Sequence, residues 1–141
     1  MSIARSFRDL KTYEKARAGA KEIYEVSKRF PPEERYSLTS QIRRSSRATT
    51  ALLAEAWARR RYKAAFVNKI DEALGEAMET QAWLDHALDM NYITSEVHDR
   101  LDELWQEVGA MLMAMINRAD DFCKNAPDHQ YLREEPETYD L

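Results

Sequence analysis

Apolar side chains recur at three- and four-residue steps along four separate stretches of this chain, and no stretch alternates apolar with polar residues over a strand's length. That spacing returns side chains to one face of a 3.6-residue helix, whereas a half-buried strand needs a period of two. The expected fold is therefore all-α. In the first stretch Leu10, Tyr13, Ala16, Ala20, Ile23, Ser27 and Phe30 share a face, and Pro31-Pro32 ends it, because proline lacks the amide donor and pushes its predecessor out of helical geometry. The second carries Leu38, Ile42, Ser45, Thr49, Leu52 and Ala56 and closes near Trp57; its small central residues imply a close helix approach. The third runs from about Tyr62 to Met90 on Phe66, Ile70, Ala73, Ala77, Leu84 and Leu88. Asn91-Tyr92-Ile93 reads as a turn, and Thr94 as the N-cap of the fourth helix.

The fourth stretch has the cleanest heptad, Val97, Leu101, Leu104, Val108, Met111, Met115 and Phe122, as a bundle seam requires. Short connections between the four helices predict an antiparallel up-down-up-down four-helix bundle over residues 1–123. Trp105, Leu112 and Ile116 widen the fourth stripe, and Trp83 widens the third; these four are the expected oligomer interface. The alternative is a thick core in a monomer. Residues 124–141, with Pro127, Pro136 and five acids against two bases, read as a disordered acidic extension.

With 141 residues, 44% hydrophobic and 33% charged, the chain suits one core and needs no disulfide staple, which the lone Cys123 does not offer. Residues 1–10 lack the apolar run of a secretory signal, and Val108 to Ile116 is too short to span a bilayer. A cytoplasmic location without membrane contact is expected. The net charge of −4 conceals a polarity. Residues 1–70 hold 17 Lys and Arg against 7 Asp and Glu, while residues 71–141 hold 4 against 18. Such asymmetry points to an electrostatic partner, either nucleic acid or the acidic half of another copy.

Little in the sequence suggests catalysis or a cofactor. Gly19, Gly75 and Gly109 are too dispersed for a phosphate-cradling loop. A carboxylate di-iron box needs Glu three residues before His, and none of His86, His98 and His129 has it. His98 and Asp102 stand one turn apart and read as a solvated pair rather than metal ligands. Cys123, beside Asp120 and Asp121, reads as an inert thiol. No enzyme activity, metal or cofactor is expected.

Arginine is the conspicuous residue type. Arg43, Arg44 and Arg47, followed by Arg59, Arg60, Arg61 and Lys63, form a candidate basic ridge along the second helix. Planar, permanently charged guanidinium groups at such spacing suit a phosphate backbone and carry no sequence readout; only Tyr62 stands among them to stack on a base. The competing reading pairs Arg43 or Arg44 with carboxylates of the third or fourth helix, within or between subunits, Glu55 and Glu79 being the first suspects.

Phe7-x-Asp9-Leu10, Phe30-Pro31 with Glu34 and Leu38, Gln41-Ile42-Arg43-Arg44, Ala54-Glu55, Ala73 with Gly75 and Glu79, Leu84, Ala87 and Tyr92-Ile93 together resemble the bacterial proteins encoded in intervening sequences of 23S ribosomal RNA genes. The resemblance covers about residues 7–122, and Gln-Ile-Arg-Arg with the downstream Ala-Glu is its most specific part. It implies an antiparallel four-helix bundle assembled as a ring-shaped homopentamer, with no established enzymatic activity. Similar proteins include the accessory protein of diversity-generating retroelements, a pentamer whose basic surface binds nucleic acid and a reverse transcriptase. By position, Arg43 and Arg44 occupy the family's paired arginines. The chain departs from the pattern at Ala54-Glu55-Ala56, where the family reads Ala-Glu-Gly, and at Gly75-Glu76, where it reads Gly-Ser. The acidic extension also departs from the basic retroelement protein.

Overall fold

The computed structural model describes residues 4–124 and 126. Four long helices, α1 (Lys11–Ser27), α2 (Leu38–Ala58), α3 (Lys63–Asp89) and α4 (Ser95–Asn117), are followed by one short helix, α5 (Ala119–Cys123). No strand occurs among the described residues. The boundaries follow local chemistry. Ser6 and Asp9 form a reciprocal capping box on the single 3₁₀ turn that leads into α1. Beyond Pro31-Pro32, Glu34 takes over the capping of α2: its carboxylate accepts from the Ser37 hydroxyl at 2.8 Å and from the Leu38 amide at 3.3 Å. Tyr92 donates to the same carboxylate at 2.9 Å, tying the α1–α2 and α3–α4 connections together.

Asn91 ends α3 in the left-handed region, at φ 61°. With it, the Tyr92 amide reaches the Ala87 carbonyl and the Asn91 amide reaches that of Leu88, which is the Schellman closure. Thr94 then caps α4 by accepting from the Val97 amide at 3.2 Å.

Partner numbers run in opposite directions across each neighbouring pair, so the helices are antiparallel. Lys15 meets Glu107 at 2.6 Å and Glu22 meets Arg100 across α1 and α4. Ser45 meets Thr80 at 2.8 Å across α2 and α3, and Lys69 approaches Glu55 at 3.9 Å farther along. Each helix packs on its neighbours in the chain and α1 closes onto α4, so the four form a square bundle.

The core departs from expectation on α4. Leu101, Val108 and Met115 belong to two interleaved heptads, one through Leu104 and Met111, the other through Trp105 and Leu112. The second heptad is the one inside: Trp105 and Leu112 are fully buried, while Leu104 and Met111 sit at the shoulder. Gly19 on α1 faces both side chains, since a methyl group there would lie 2.6 Å from the Leu104 Cδ2 and 3.1 Å from the Trp105 ring. A bare backbone at this position lets α4 lie close against α1. Trp105 and Leu112 are therefore core residues of one subunit, and their assignment to an oligomer interface is corrected. Trp83 and Ile116 remain half-buried. Smaller shifts of the same kind put Leu53 inside in place of Leu52, and Ala87 in place of Leu88. Where α2 and α3 pass closely, buried Ser45, Thr49 and Thr80 satisfy their hydroxyls on carbonyls of their own helices and on one another.

Candidate nucleic-acid interface

The basic ridge read from the sequence is divided by the structure into three parts. Helical spacing turns Arg44 toward α3 and Arg43 and Arg47 toward α1, while Arg59, Arg60, Arg61 and Lys63 lie beyond the far end of α2. From Arg43 to Arg59 the helix rises about 24 Å.

Arg44 is an ion-pair residue. Its guanidinium holds Glu76 through two nitrogens, at 3.2 and 3.1 Å, and Glu79 at 2.7 Å. Gln41 accepts from its Nε at 3.3 Å, and the Trp83 indole donates to Glu79 at 3.2 Å. The Glu76 hydrogen bonds, followed by those to Glu79, raise the pKa of Arg44 above its ordinary value. Burial works against ionisation of Glu79, but Arg44 and its other hydrogen-bond partners outweigh it and hold the carboxyl below the usual range. The sequence suspicion that Glu79 pairs with an arginine matches this contact. Glu55 instead faces Lys69.

Arg43 and Arg47 converge on an aromatic ring from α1 that sequence reading did not single out. The guanidinium carbons stand 4.7 and 5.5 Å from the centre of Tyr24, and Lys28 Nζ stands 4.8 Å from it. Three cations thus surround one partly exposed phenol. Arg43 is fixed further by donating from Nε to the Ser27 hydroxyl at 2.7 Å. Lys28 has Glu25 at 3.3 Å, whereas no carboxylate among the described residues lies within ion-pair distance of Arg43 or Arg47. The arrangement leaves guanidinium donors free on a surface held rigid by two helices. The separation of Tyr24 from the arginines by about a full helix of sequence hid the cluster, and only the antiparallel register of α1 and α2 supplies it.

At the opposite end the cations are partly engaged. Arg60 stacks on Trp57 at 3.5 Å and donates to its carbonyl, and burial lowers the guanidinium pKa. Lys63 pairs with Asp120 at 2.6 Å, which raises its pKa. Arg61 lies 5.5 Å from the Tyr62 ring, and Arg59 is exposed. Cys123 on α5 lies near Arg60 and Lys63, and burial pushes its thiol up despite these two cations. This matches the expectation of an inert thiol, with burial rather than acidic neighbours as the main cause.

His98 is not the solvated side chain expected. It is largely covered, and its ring nitrogens face Asp99 at 3.0 Å and Asp85 at 2.9 Å, which raise its pKa in that order.

Among the described residues no helix is long and apolar enough to cross a membrane. Comparison with curated proteins finds no match. Among solved structures the chain is similar to a protein of unknown function from the S23 ribosomal protein family of Bacteroides thetaiotaomicron VPI-5482, at 29% identity and a TM-score of 0.68, over 75% of this chain and 95% of that one. The family model described as 23S rRNA-intervening sequence protein matches residues 8–114, which include all four long helices up to the last turn of α4. The chain belongs to the 23S rRNA-intervening sequence protein family.

Proposed function

We propose that this protein is a non-enzymatic, homo-oligomeric binding or scaffold protein, a pentamer in the manner its resemblance implies, that acts in the cytoplasm on RNA, DNA or a nucleic-acid-processing partner such as a reverse transcriptase. The observation that carries the reading is the Tyr24 cluster. Arg43 and Arg47 present unpaired guanidinium groups beside an aromatic face, and that pairing of donors suits a phosphate together with an adjacent base. Contacts of this kind position a backbone and read no sequence. Arg44 is exposed but engaged by its two glutamates, and the group at Arg59, Arg60, Arg61 and Lys63 forms a secondary contact region at the far end of α2.

Fluorescence anisotropy with a structured RNA and a duplex DNA, over a range of salt, tests this. Arg43→Ala with Arg47→Ala is expected to weaken binding at least tenfold at low salt and to reduce the slope of log affinity on log salt by roughly 1.4–1.8, since each lost phosphate contact contributes about 0.7–0.9. Arg44→Ala is expected to leave both nearly unchanged. Absence of association at low salt, or association indifferent to the double substitution, overturns the proposal.

The split of charge between the two halves favours a second reading, a purely structural oligomer in which Arg43 and Arg47 pair with acids of another copy and no nucleic acid is bound. There the double substitution breaks the assembly in nuclease-treated protein. In the first reading the assembly survives and only nucleic-acid affinity is lost.

A further inference from the structure

Where α3 turns back into α4, three possible metal ligands from two helices meet. His98 and Asp102 stand one turn apart on α4, Asp85 reaches them from α3, and one ligand atom from each lies within 4.8 Å of the others. His98 Nε2 is 2.9 Å from an Asp85 oxygen. The surrounding groups orient this set. Nδ1 faces the Asp99 carboxylate at 3.0 Å, and Gln81 donates to Asp102 Oδ1 at 3.2 Å. A ligating histidine whose second nitrogen is held by a carboxylate, and a ligating carboxylate that is itself hydrogen-bonded, are the outer contacts that fix metal ligands in place.

The donor set determines the class of ion. One imidazole nitrogen with two carboxylates suits a borderline divalent ion, whereas Mg²⁺ and Ca²⁺ prefer oxygen alone. Tetrahedral ligands at about 2.0–2.1 Å from Zn²⁺ stand roughly 3.3 Å apart; His98 and Asp85 at 2.9 Å are near that spacing, and Asp102 offers an oxygen within 4.8 Å of both. His98 is only 13% exposed while Asp85 is 68% exposed, which gives a fixed inner ligand and an open approach. The proton on Nε2 that faces Asp85 is the group a cation replaces: the N–H leaves as H⁺, and the freed lone pair binds the metal. We propose that Asp85, His98 and Asp102 bind one divalent transition-metal ion of the Zn²⁺ class, which bridges α3 and α4 beside their connection.

The test uses the full, untagged chain stripped with a chelator, titrated with Zn²⁺ against a competing chromophoric chelator and separately with Co²⁺ while its visible absorption is followed. One equivalent is expected to bind, with Co²⁺ giving a ligand-field band and Zn²⁺ raising the melting temperature. His98→Ala and Asp102→Asn are each expected to weaken binding at least tenfold and abolish the band. Cys123→Ser is expected to leave both unchanged. If His98→Ala unfolds the chain by circular dichroism, His98→Gln and Asp85→Asn carry the same expectation. No bound equivalent at about 100 μM metal, well above the range of dedicated sites, overturns the proposal. So does binding indifferent to the His98 substitutions, which assigns the metal to other groups.

Discussion

Trp105 shows how much a single side chain determines in this bundle. Its indole is fully buried, and its Nε1 is the buried side-chain polar atom without a hydrogen-bond partner among the described residues. The ring therefore contributes apolar area and volume while its N–H opposes folding, since an unsatisfied buried donor costs about 1–3 kcal/mol. Trp105→Phe loses part of the ring but removes that donor, and the two effects offset; the expected change in unfolding free energy is within about 1 kcal/mol. Trp105→Ala leaves a cavity and is expected to cost about 3–5 kcal/mol. Chemical denaturation of the two variants checks the contrast, and a large loss in the phenylalanine variant would mean that the N–H has a partner in solution. Residue-scale roles were only partly legible in the sequence. The type of Arg44 was visible, but its direction was not, because Arg43 and Arg44 are adjacent and a helix turns consecutive side chains by about 100° toward different neighbours. Tyr24 carried no signal of its own, since an aromatic residue at the edge of an amphipathic stripe looks like any other.

At the scale of elements, the sequence reading recovered the four helices, the proline break, the Asn91 turn and the Thr94 cap, because each rests on chemistry within a few residues. The choice of buried seam on α4 was not local. The sequence favours the heptad through Leu104 and Met111, and the packing that buries Trp105 and Leu112 instead, with Gly19 on α1 against the Trp105 ring, exists only in the folded bundle. The same residue type has opposite roles on two helices. At Gly19 a side chain collides with Leu104 and presses on the Trp105 ring, so Gly19→Val is expected to destabilise by about 2–3 kcal/mol through overpacking. At Gly75, exposed in the middle of α3, an added methyl group meets nothing within 4 Å, and Gly75→Ala is expected to stabilise by about 0.5–1 kcal/mol as helix propensity alone predicts. Thermal unfolding followed at 222 nm, a helix signal, separates the two. Equal signs would mean that backbone freedom, not the α1–α4 contact, governs both positions.

At the scale of the whole molecule, the charge split of the sequence becomes a spatial one. The antiparallel square places α1 and α2 side by side, with α3 and α4 beside them, so among the described residues the more basic helices form one side of the bundle and the more acidic helices the other. Ion pairs such as Lys15–Glu107 and Arg44–Glu79 consume charge along the two seams between these sides, and the Tyr24 cluster lies away from both. Opposite faces of opposite sign favour head-to-tail contact between copies, a heterologous geometry that closes into a ring when the rotation allows. Apolar surface remains to support it, with Met78 61% and Met113 45% exposed and Trp83 and Ile116 half-covered. If such contacts hold the assembly and the cluster holds nucleic acid, the two separate by treatment. Native mass spectrometry at low salt is expected to show a pentamer carrying additional mass. Nuclease is expected to remove that mass and leave the pentamer, and Arg43→Glu with Arg47→Glu is expected to yield the bare pentamer without nuclease. A bare pentamer from the unsubstituted chain at low salt would instead identify a scaffold that uses its arginines elsewhere. A monomer in every condition would show that neither the charge split nor the exposed methionines bring copies together.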